Sequence, residues 1–154
     1  MIEKLFHPCF SLEIHWRGRV IRKTVLQNSA QRPKNCSIFS PEPSRVLQAL
    51  ARRYRGHENI LWLYAPLDWQ GLTPFQARVL RTLFWLVPWG RTVSYSRLAA
   101  LAGSAGAARA VGGVMAKNPW PVLIPCHRVL GTGRNRGGFS AGAELKTSLL
   151  NLEL

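Results

Sequence analysis

Between residues 10 and 27 apolar side chains alternate with polar ones, Leu12, Ile14 and Trp16 and then Val20 and Val25, on either side of Arg17-Gly18-Arg19. A period of two turns one face of an extended strand toward a core, and a glycine-centred break between two such runs predicts a β-hairpin. The polar, proline-rich stretch from residue 28 to 43 reads as a loop. Val46, Leu47, Leu50 and Tyr54 then recur at helical spacing until Gly56, and residues 61–67 read as a strand or an extended connection. Asp68-Trp69-Gln70-Gly71 marks a boundary, giving lobes of residues 1–70 and 71–154.

Beyond the boundary the period lengthens to that of helices. Thr73 is placed to cap a helix with Pro74 at its first position, and Phe75, Val79, Leu80, Leu83, Phe84 and Val87 form its apolar stripe until Pro88. Ser94 can cap a second, short helix with Leu98 and Leu101 facing inward and Gly103 stopping it. Ser104 can cap a third helix that runs to about Lys117, and two short helices joined by a Gly-Ser turn predict a helix-turn-helix. Val122-Leu123-Ile124 reads as a short buried strand. The class is α/β: a small α/β lobe followed by a mainly helical one.

Composition adds a partner to this picture. In 154 residues, 47% hydrophobic, Lys and Arg number 21 against 7 Asp and Glu, a formal charge of +14. A soluble fold with so large an excess, spread along the chain and not gathered in a tail, points to a polyanion, nucleic acid before an anionic membrane. The three cysteines, Cys9, Cys36 and Cys126, include no C-x-x-C pair, so neither a disulfide framework nor a zinc ribbon is read and a reducing, intracellular setting is expected. Neither a signal peptide nor a membrane span is expected. His7, Cys9, Cys36 and His57 are too irregularly spaced to be read as a zinc site, and no cofactor is expected.

Candidate chemistry concentrates at Pro125-Cys126-His127-Arg128. The thiolate is the nucleophilic form of cysteine, and Arg128, with His127 when protonated, is expected to lower the thiol pKa. A buried structural cysteine is the competing reading, and the one adopted for Cys9 and Cys36. Upstream, Ala107, Ala108, Ala110, Gly112 and Gly113 leave the third helix nearly bare around one long side chain, Arg109. Such a surface permits close approach to DNA, unlike the polar readers of ordinary helix-turn-helix proteins, or simply tight helix packing.

The run Asn118-Pro119-Trp120-Pro121-Val122-Leu123-Ile124-Pro125-Cys126-His127-Arg128-Val129 resembles the active-site signature of the O6-alkylguanine-DNA alkyltransferases, the methylated-DNA-protein-cysteine methyltransferases. Thr73-Pro74-Phe75-Gln76, Val93-Ser94-Tyr95, Ala108 to Gly113, Gly138-Phe139, Lys146 and Leu149-Leu150 fall in the same order as in that family. The resemblance is specific from about residue 70 to 153 and weaker before it.

The resemblance implies an RNase H-like sheet in the first lobe. It implies a protein that acts on double-stranded DNA carrying O6-alkylguanine, with O4-alkylthymine a further substrate; a monomer is expected because a single lesion offers no two-fold symmetric target. The alkyl group passes to Cys126 in a single turnover. DNA is met through the minor groove by Ser94, Tyr95, Ala107, Ala108, Arg109, Ala110, Gly112, Gly113 and Arg128, with Arg109 filling the gap left by a rotated nucleotide. Tyr95 assists rotation and donates a proton. Glu153, His127 and a water form a relay to Cys126, Asn118 braces the turn after the recognition helix, and Trp120, Pro121, Val129, Phe139 and Ser140 wall the alkyl pocket.

Extrusion of the base is physically required, because O6 in a duplex faces the groove opposite the docking surface; unstacking costs on the order of a few kcal/mol and least at a damaged pair. The chain departs from the family at Ser140-Ala141-Gly142, where a Gly-Gly pair is usual, and at Phe139, where tyrosine is common; Glu153 lies one residue from the last. A non-enzymatic lesion sensor of the alkyltransferase-like kind is the alternative, although those relatives replace the cysteine. A cysteine hydrolase would explain neither the charge nor the Arg109 helix. The compartment expected is the cytoplasm of a prokaryote or the nucleus of a eukaryote.

Overall fold

The alternation that opens the chain folds as a meander of β1 (Ile2–His7), β2 (Phe10–Arg17) and β3 (Val20–Asn28), with Gly18 at φ 58° in the turn between β2 and β3. The computed structural model describes residues 1–28, 37–54, 65–132 and 137–153, and the chain divides into two compact units, Met1–Asp68 and Trp69–Leu154. A fourth strand, β4 (Ser37–Phe39), lies inside the stretch read as a loop and pairs with β1, so the sheet is antiparallel in the order β3-β2-β1-β4.

Strand β1 was hidden by polar residues on its inward face. Glu3 and His7 flank Leu5 there, and Glu3 is fully buried. Its carboxylate accepts from Trp16 Nε1 at 2.7 Å, from Ser44 N at 2.6 Å and from Ser44 Oγ at 2.7 Å, which satisfies the buried oxygens. Ser44 in turn accepts from Leu47 N at 3.2 Å at the start of α1 (Arg45–Tyr54). Leu47, Leu50 and Ala51 of this helix join Leu5, Phe10, Leu12, Ile14, Ile21 and Leu26 as the buried apolar residues of the first unit. Of the expected extended stretch 61–67, residues 61–64 lie outside the described residues, as does Gly56, and Leu67 forms an isolated parallel bridge to Ile21.

The second unit opens on α2 (Pro74–Leu86). Thr73 Oγ1 accepts from Gln76 N at 3.2 Å while Gln76 Oε1 accepts from Thr73 N at 2.8 Å, a reciprocal cap ahead of Pro74. Val79, Leu80, Leu83 and Val87 are its buried stripe. Next come β5 (Val93–Ser94), α3 (Tyr95–Leu101) capped by Ser94, and α4 (Ala108–Ala116); α2, α3 and α4 pack on one another.

Ser104 does not cap α4. The helix begins four residues later, behind Ala107 with no side-chain cap, because Gly103 and Gly106 both take positive φ and lengthen the turn; Ser104 Oγ accepts from Arg78 instead. After a 3-10 turn at Cys126–Arg128, β6 (Val129–Leu130) pairs parallel with β5, and α5 (Ala143–Asn151) follows. Among the described residues no helix is long and apolar enough to cross a membrane.

Candidate active site

The segment leading to Cys126 is buried as expected but is a turn, not a strand. Val122 takes φ 75°, a left-handed conformation that a β-branched residue adopts only when its surroundings enforce it, at a cost of about 1–3 kcal/mol. Asn118 enforces it. Its Nδ2 donates to Ile124 O at 2.9 Å, its Oδ1 accepts from Trp120 N at 3.0 Å, and Ile124 N closes the turn on Trp120 O at 2.8 Å. Pro125, at φ −80° and ψ 65°, then lets Cys126 N reach Ile124 O at 2.8 Å, a three-residue turn that delivers the thiol at the start of the 3-10 turn.

The 3-10 turn brings the consecutive side chains His127 and Arg128 onto one carboxylate, Glu153, where an extended segment would have pointed them to opposite sides. Cys126 is 4% exposed. Burial pushes its thiol up, against hydrogen bonding from Asn118 and the backbone and the charge of Lys146, so the net shift is upward and not the lowering expected from Arg128. His127 is fully buried, with Nε2 2.8 Å from Glu153 Oε1, and its Nδ1 has no hydrogen-bond partner among the described residues. Burial holds the imidazole below its ordinary range, Glu153 pulls it up, and Arg128 and Lys146 push it down again.

Arg128 was expected at the DNA surface, and the structure places it inside. It donates from Nε to Glu153 Oε2 at 2.7 Å, from Nη2 to Glu153 Oε1 at 2.9 Å and from Nη1 to Val87 O at 2.8 Å, with its guanidinium over the Trp89 ring. Burial would raise the Glu153 carboxyl, but the His127 and Arg128 hydrogen bonds outweigh it and hold the pKa at about 2. Arg128 therefore serves Glu153; a side chain so engaged offers nothing to a phosphate.

The cation that bears on the thiol is Lys146, which the sequence marks only as a motif position. It is 1% exposed, on the inward side of α5, and donates to Val129 O at 2.7 Å. A lysine between Leu145 and Leu149 on the apolar side of a helix was the available signal, since lysine is almost never fully buried without a partner.

The β5–β6 pairing registers Val93 with Val129 and Ser94 with Leu130, which ties the start of α3 to the strand that leaves the cysteine turn. Tyr95 consequently stands beside a cleft of about 500 Å³ lined by Tyr95, Ser96, Ala108, Arg109, Gly112 and Leu130 and by Gly131, Thr132, Gly137 and Gly138. Its ring is held between glycines: a Cβ on Gly137, where φ is 72°, would lie 2.7 Å from Tyr95 Oη, and one on Gly112 3.9 Å from the ring. Burial and the neighbouring Cys126 raise the Tyr95 hydroxyl, keeping it protonated, and it points to Gly138 O at 3.5 Å.

Arg109 is exposed at the rim, and Ala107, Ala110 and Gly113 lie on the same short helix or its entry. The expected pocket walls do not line this cleft. Trp120 and Val129 are fully buried core, Trp120 packed on Trp69 at 4.9 Å between ring centroids with its backbone held in the Asn118 turn, and Val129 in β6 beside Val93; Pro121, Phe139 and Ser140 also lie outside the lining. Of the residues considered for zinc, Cys36 and His57 lie outside the described residues, and His7 Nδ1 accepts from Cys9 N at 3.1 Å.

Comparison with known proteins places this arrangement. The family model of the 6-O-methylguanine DNA methyltransferase DNA-binding domain matches residues 74–154. The methylated-DNA–protein-cysteine methyltransferase of Mycobacterium bovis is 44% identical over 149 residues, 95% of this chain and 87% of that protein. Its counterpart from Methanothermobacter thermautotrophicus is 33% identical over 149 residues, 97% of this chain and 82% of that one. The crystal structure of Mycobacterium tuberculosis OGT in complex with DNA aligns with a TM-score of 0.75 at 30% identity, over 98% of this chain and 92% of that one, and has the same two-lobe α/β fold. With more than half its length matched by the family model and nearly all of it by these relatives, the chain belongs to the 6-O-methylguanine-DNA methyltransferase family.

Proposed function

We propose that this protein repairs DNA directly, by moving the alkyl group of O6-alkylguanine from oxygen to the sulfur of Cys126. The observation that carries the reading is the buried Glu153–His127 pair directly beside Cys126 in sequence, with Tyr95 and Arg109 on the neighbouring cleft. Lesion-bearing duplex DNA is the partner, met by α4, whose alanines and glycines allow close approach around Arg109. The damaged nucleotide turns out of the stack into the cleft and Arg109 takes its place.

The resting thiol is protonated, since burial raises it, and His127 is a neutral imidazole whose Nε2–H is donated to Glu153. Nδ1 then accepts the thiol proton through one water, as in the relay that the family resemblance implies. The thiolate attacks the alkyl carbon in line; the sulfur–carbon bond forms as the carbon–O6 bond breaks, and the charge passes to guanine. Tyr95 donates a proton toward the guanine ring, and Lys146 offsets the negative charge that moves through the site. The product is S-alkylcysteine, so each molecule acts once, without a cofactor. One asymmetric lesion offers no two-fold target, and the monomer is the acting form, working inside the cell where the DNA lies. A lesion sensor has no use for Cys126 and the base beside it.

Incubation with methylated duplex should add one methyl mass to Cys126, and Cys126→Ala should bind the duplex without transfer. Transfer by the variant, or methylation mapped to Cys9 or Cys36, would refute the assignment.

A further inference from the structure

The relay contains a residue whose placement neither the charge pattern nor the motif indicated. Glu153 Oε1 receives two donors, His127 Nε2 at 2.8 Å and Arg128 Nη2 at 2.9 Å, while Oε2 receives Arg128 Nε at 2.7 Å. The third nitrogen of the guanidinium is fixed to Val87 O at 2.8 Å, at the end of α2. All three side chains are buried, with exposures of 0%, 6% and 2% for His127, Arg128 and Glu153. We propose that Arg128 is a positioning residue of the relay: by holding Glu153 at two points and matching its charge, it keeps His127 as the Nε2–H donor to that carboxylate and leaves Nδ1 free to accept the thiol proton.

In so closed a space the charge count decides where the proton rests. The groups that face one another are Arg128 and Lys146, both cationic, Glu153, anionic, and His127 and the Cys126 thiol. With neutral imidazole and thiol they carry one net positive charge; protonating His127 makes it two, buried, which is unfavourable. Without Arg128 the same groups would be neutral overall, and a proton on His127, 2.8 Å from a carboxylate that has lost its two-point partner, would add only one buried charge and be retained. An imidazolium cannot act as a base. The opposed influences on His127 agree with this count, since Glu153 raises it and Arg128 lowers it, with burial setting the net direction downward. Geometry adds to charge, because a two-point guanidinium fixes the plane of the carboxylate and so the direction from which the ring is held, which an ammonium could not do.

The proposal rests on the alkyl-transfer reading only for its kinetic arm. Replacing the guanidinium in Arg128→Gln should raise the His127 pKa by roughly 1–3 units, the range for gaining an unshielded carboxylate neighbour. In ring-nitrogen NMR of the histidine-labelled protein, wild-type His127 should be neutral at pH 7 with its proton on Nε2, and the variant's should be largely imidazolium. The acid limb of the single-turnover rate against pH should move up by the same amount in Arg128→Gln and stay near wild type, at a lower plateau, in Arg128→Lys.

An Arg128→Gln protein that is folded by circular dichroism yet keeps the wild-type His127 titration and acid limb overturns the proposal. Should that variant not fold, the wild-type spectrum alone decides: an imidazolium at pH 7, or a proton on Nδ1, is equally fatal. If wild-type protein never alkylates Cys126, the functional reading fails while the NMR arm still tests Arg128.

Discussion

Lowering the pH removes the charge that Arg128 and His127 share, so stability should report it. The Glu153 side chain is 2% exposed and its carboxyl is moved from 4.5 to about 2 by its two partners. At about 1.36 kcal/mol per unit, a shift of that size is worth about 3 kcal/mol of folding free energy. A carboxyl whose folded pKa lies below its unfolded value binds more protons when unfolded. Its contribution is therefore complete above 4.5 and is lost as the pH falls to about 2. His127, also lowered on folding, acts in the same direction in a higher window, costing stability once the pH drops below 6.5. Urea unfolding from pH 8 to 2.5 should thus show stability constant above the His127 window, a first decline below it and a steeper one below pH 4.5. Glu153→Gln should cost about 3–5 kcal/mol at pH 7, because a buried guanidinium is left without its counter-ion. That cost should shrink by most of its value at the acid end, where the unfolded wild-type chain is already protonated at Glu153 and keeping the folded carboxylate ionised no longer adds stability. A difference between the two proteins that is constant from pH 7 to 2.5 would refute the reasoning.

Gly137→Ala should displace the Tyr95 ring, since the new Cβ would lie 2.7 Å from its hydroxyl at a φ of 72°; at least a tenfold loss of single-turnover rate and about 1–3 kcal/mol of stability are expected, and an unchanged rate removes the glycine cradle from the site. Arg109→Ala should slow repair of duplex far more than reaction with free benzylguanine, which needs no extrusion, and equal losses on both remove Arg109 from the mechanism. A defect rescued by low salt would make it a phosphate contact instead. Iodoacetamide should modify Cys9, which is half-buried, well before Cys126 in folded protein at pH 7, with peptide mass mapping as the readout.

Legibility followed the physics of each segment. The capped start of α2 and the hairpin at Gly18 could be read because their signals are local: a threonine, a proline and a glutamine at fixed offsets, or a glycine between two alternating runs. Strand β1 escaped because Glu3 and His7 occupy inward positions that alternation assigns to apolar residues, and the partners that make Glu3 tolerable are 13 and 41 residues away. The start of α4 was misplaced since nothing in Ser104 itself says that two positive-φ glycines will lengthen the turn.

At the site, Cys126, His127, Glu153, Asn118 and Tyr95 were nominated by motif, and the structure brings His127 to Glu153, Asn118 to the turn before Cys126, and Tyr95 to the cleft. Where the motif failed was in direction. Arg128 and Trp120 were read as facing DNA and substrate, yet a 3-10 turn and a left-handed Val122 rotate them into the core, and neither conformation follows from residue preferences. Lys146 is hard to recognise from sequence for the related reason that a lone lysine is ordinarily a solvated one.

A protein consumed by its own reaction must spare its nucleophile until the substrate is seated, and the electrostatics of this site run in that direction. An exposed thiolate with a lowered pKa would be the faster reagent toward any electrophile, and also toward oxidants. Here burial raises the thiol, Asn118 and Lys146 recover part of the loss, and the base beside it is held neutral by a carboxylate whose charge Arg128 already matches. Under the proposed mechanism, reactivity is placed in the pair of proton transfers, out of the thiol through His127 and into the leaving base from Tyr95, and not in the sulfur alone. Tyr95 can serve the second transfer because the β5–β6 register and the Gly112 and Gly137 cradle hold it on the cleft and burial keeps it protonated. A small electrophile arriving without a base in the cleft meets a protonated, buried thiol; in the proposed mechanism a flipped alkylguanine brings the proton acceptor that completes the exchange.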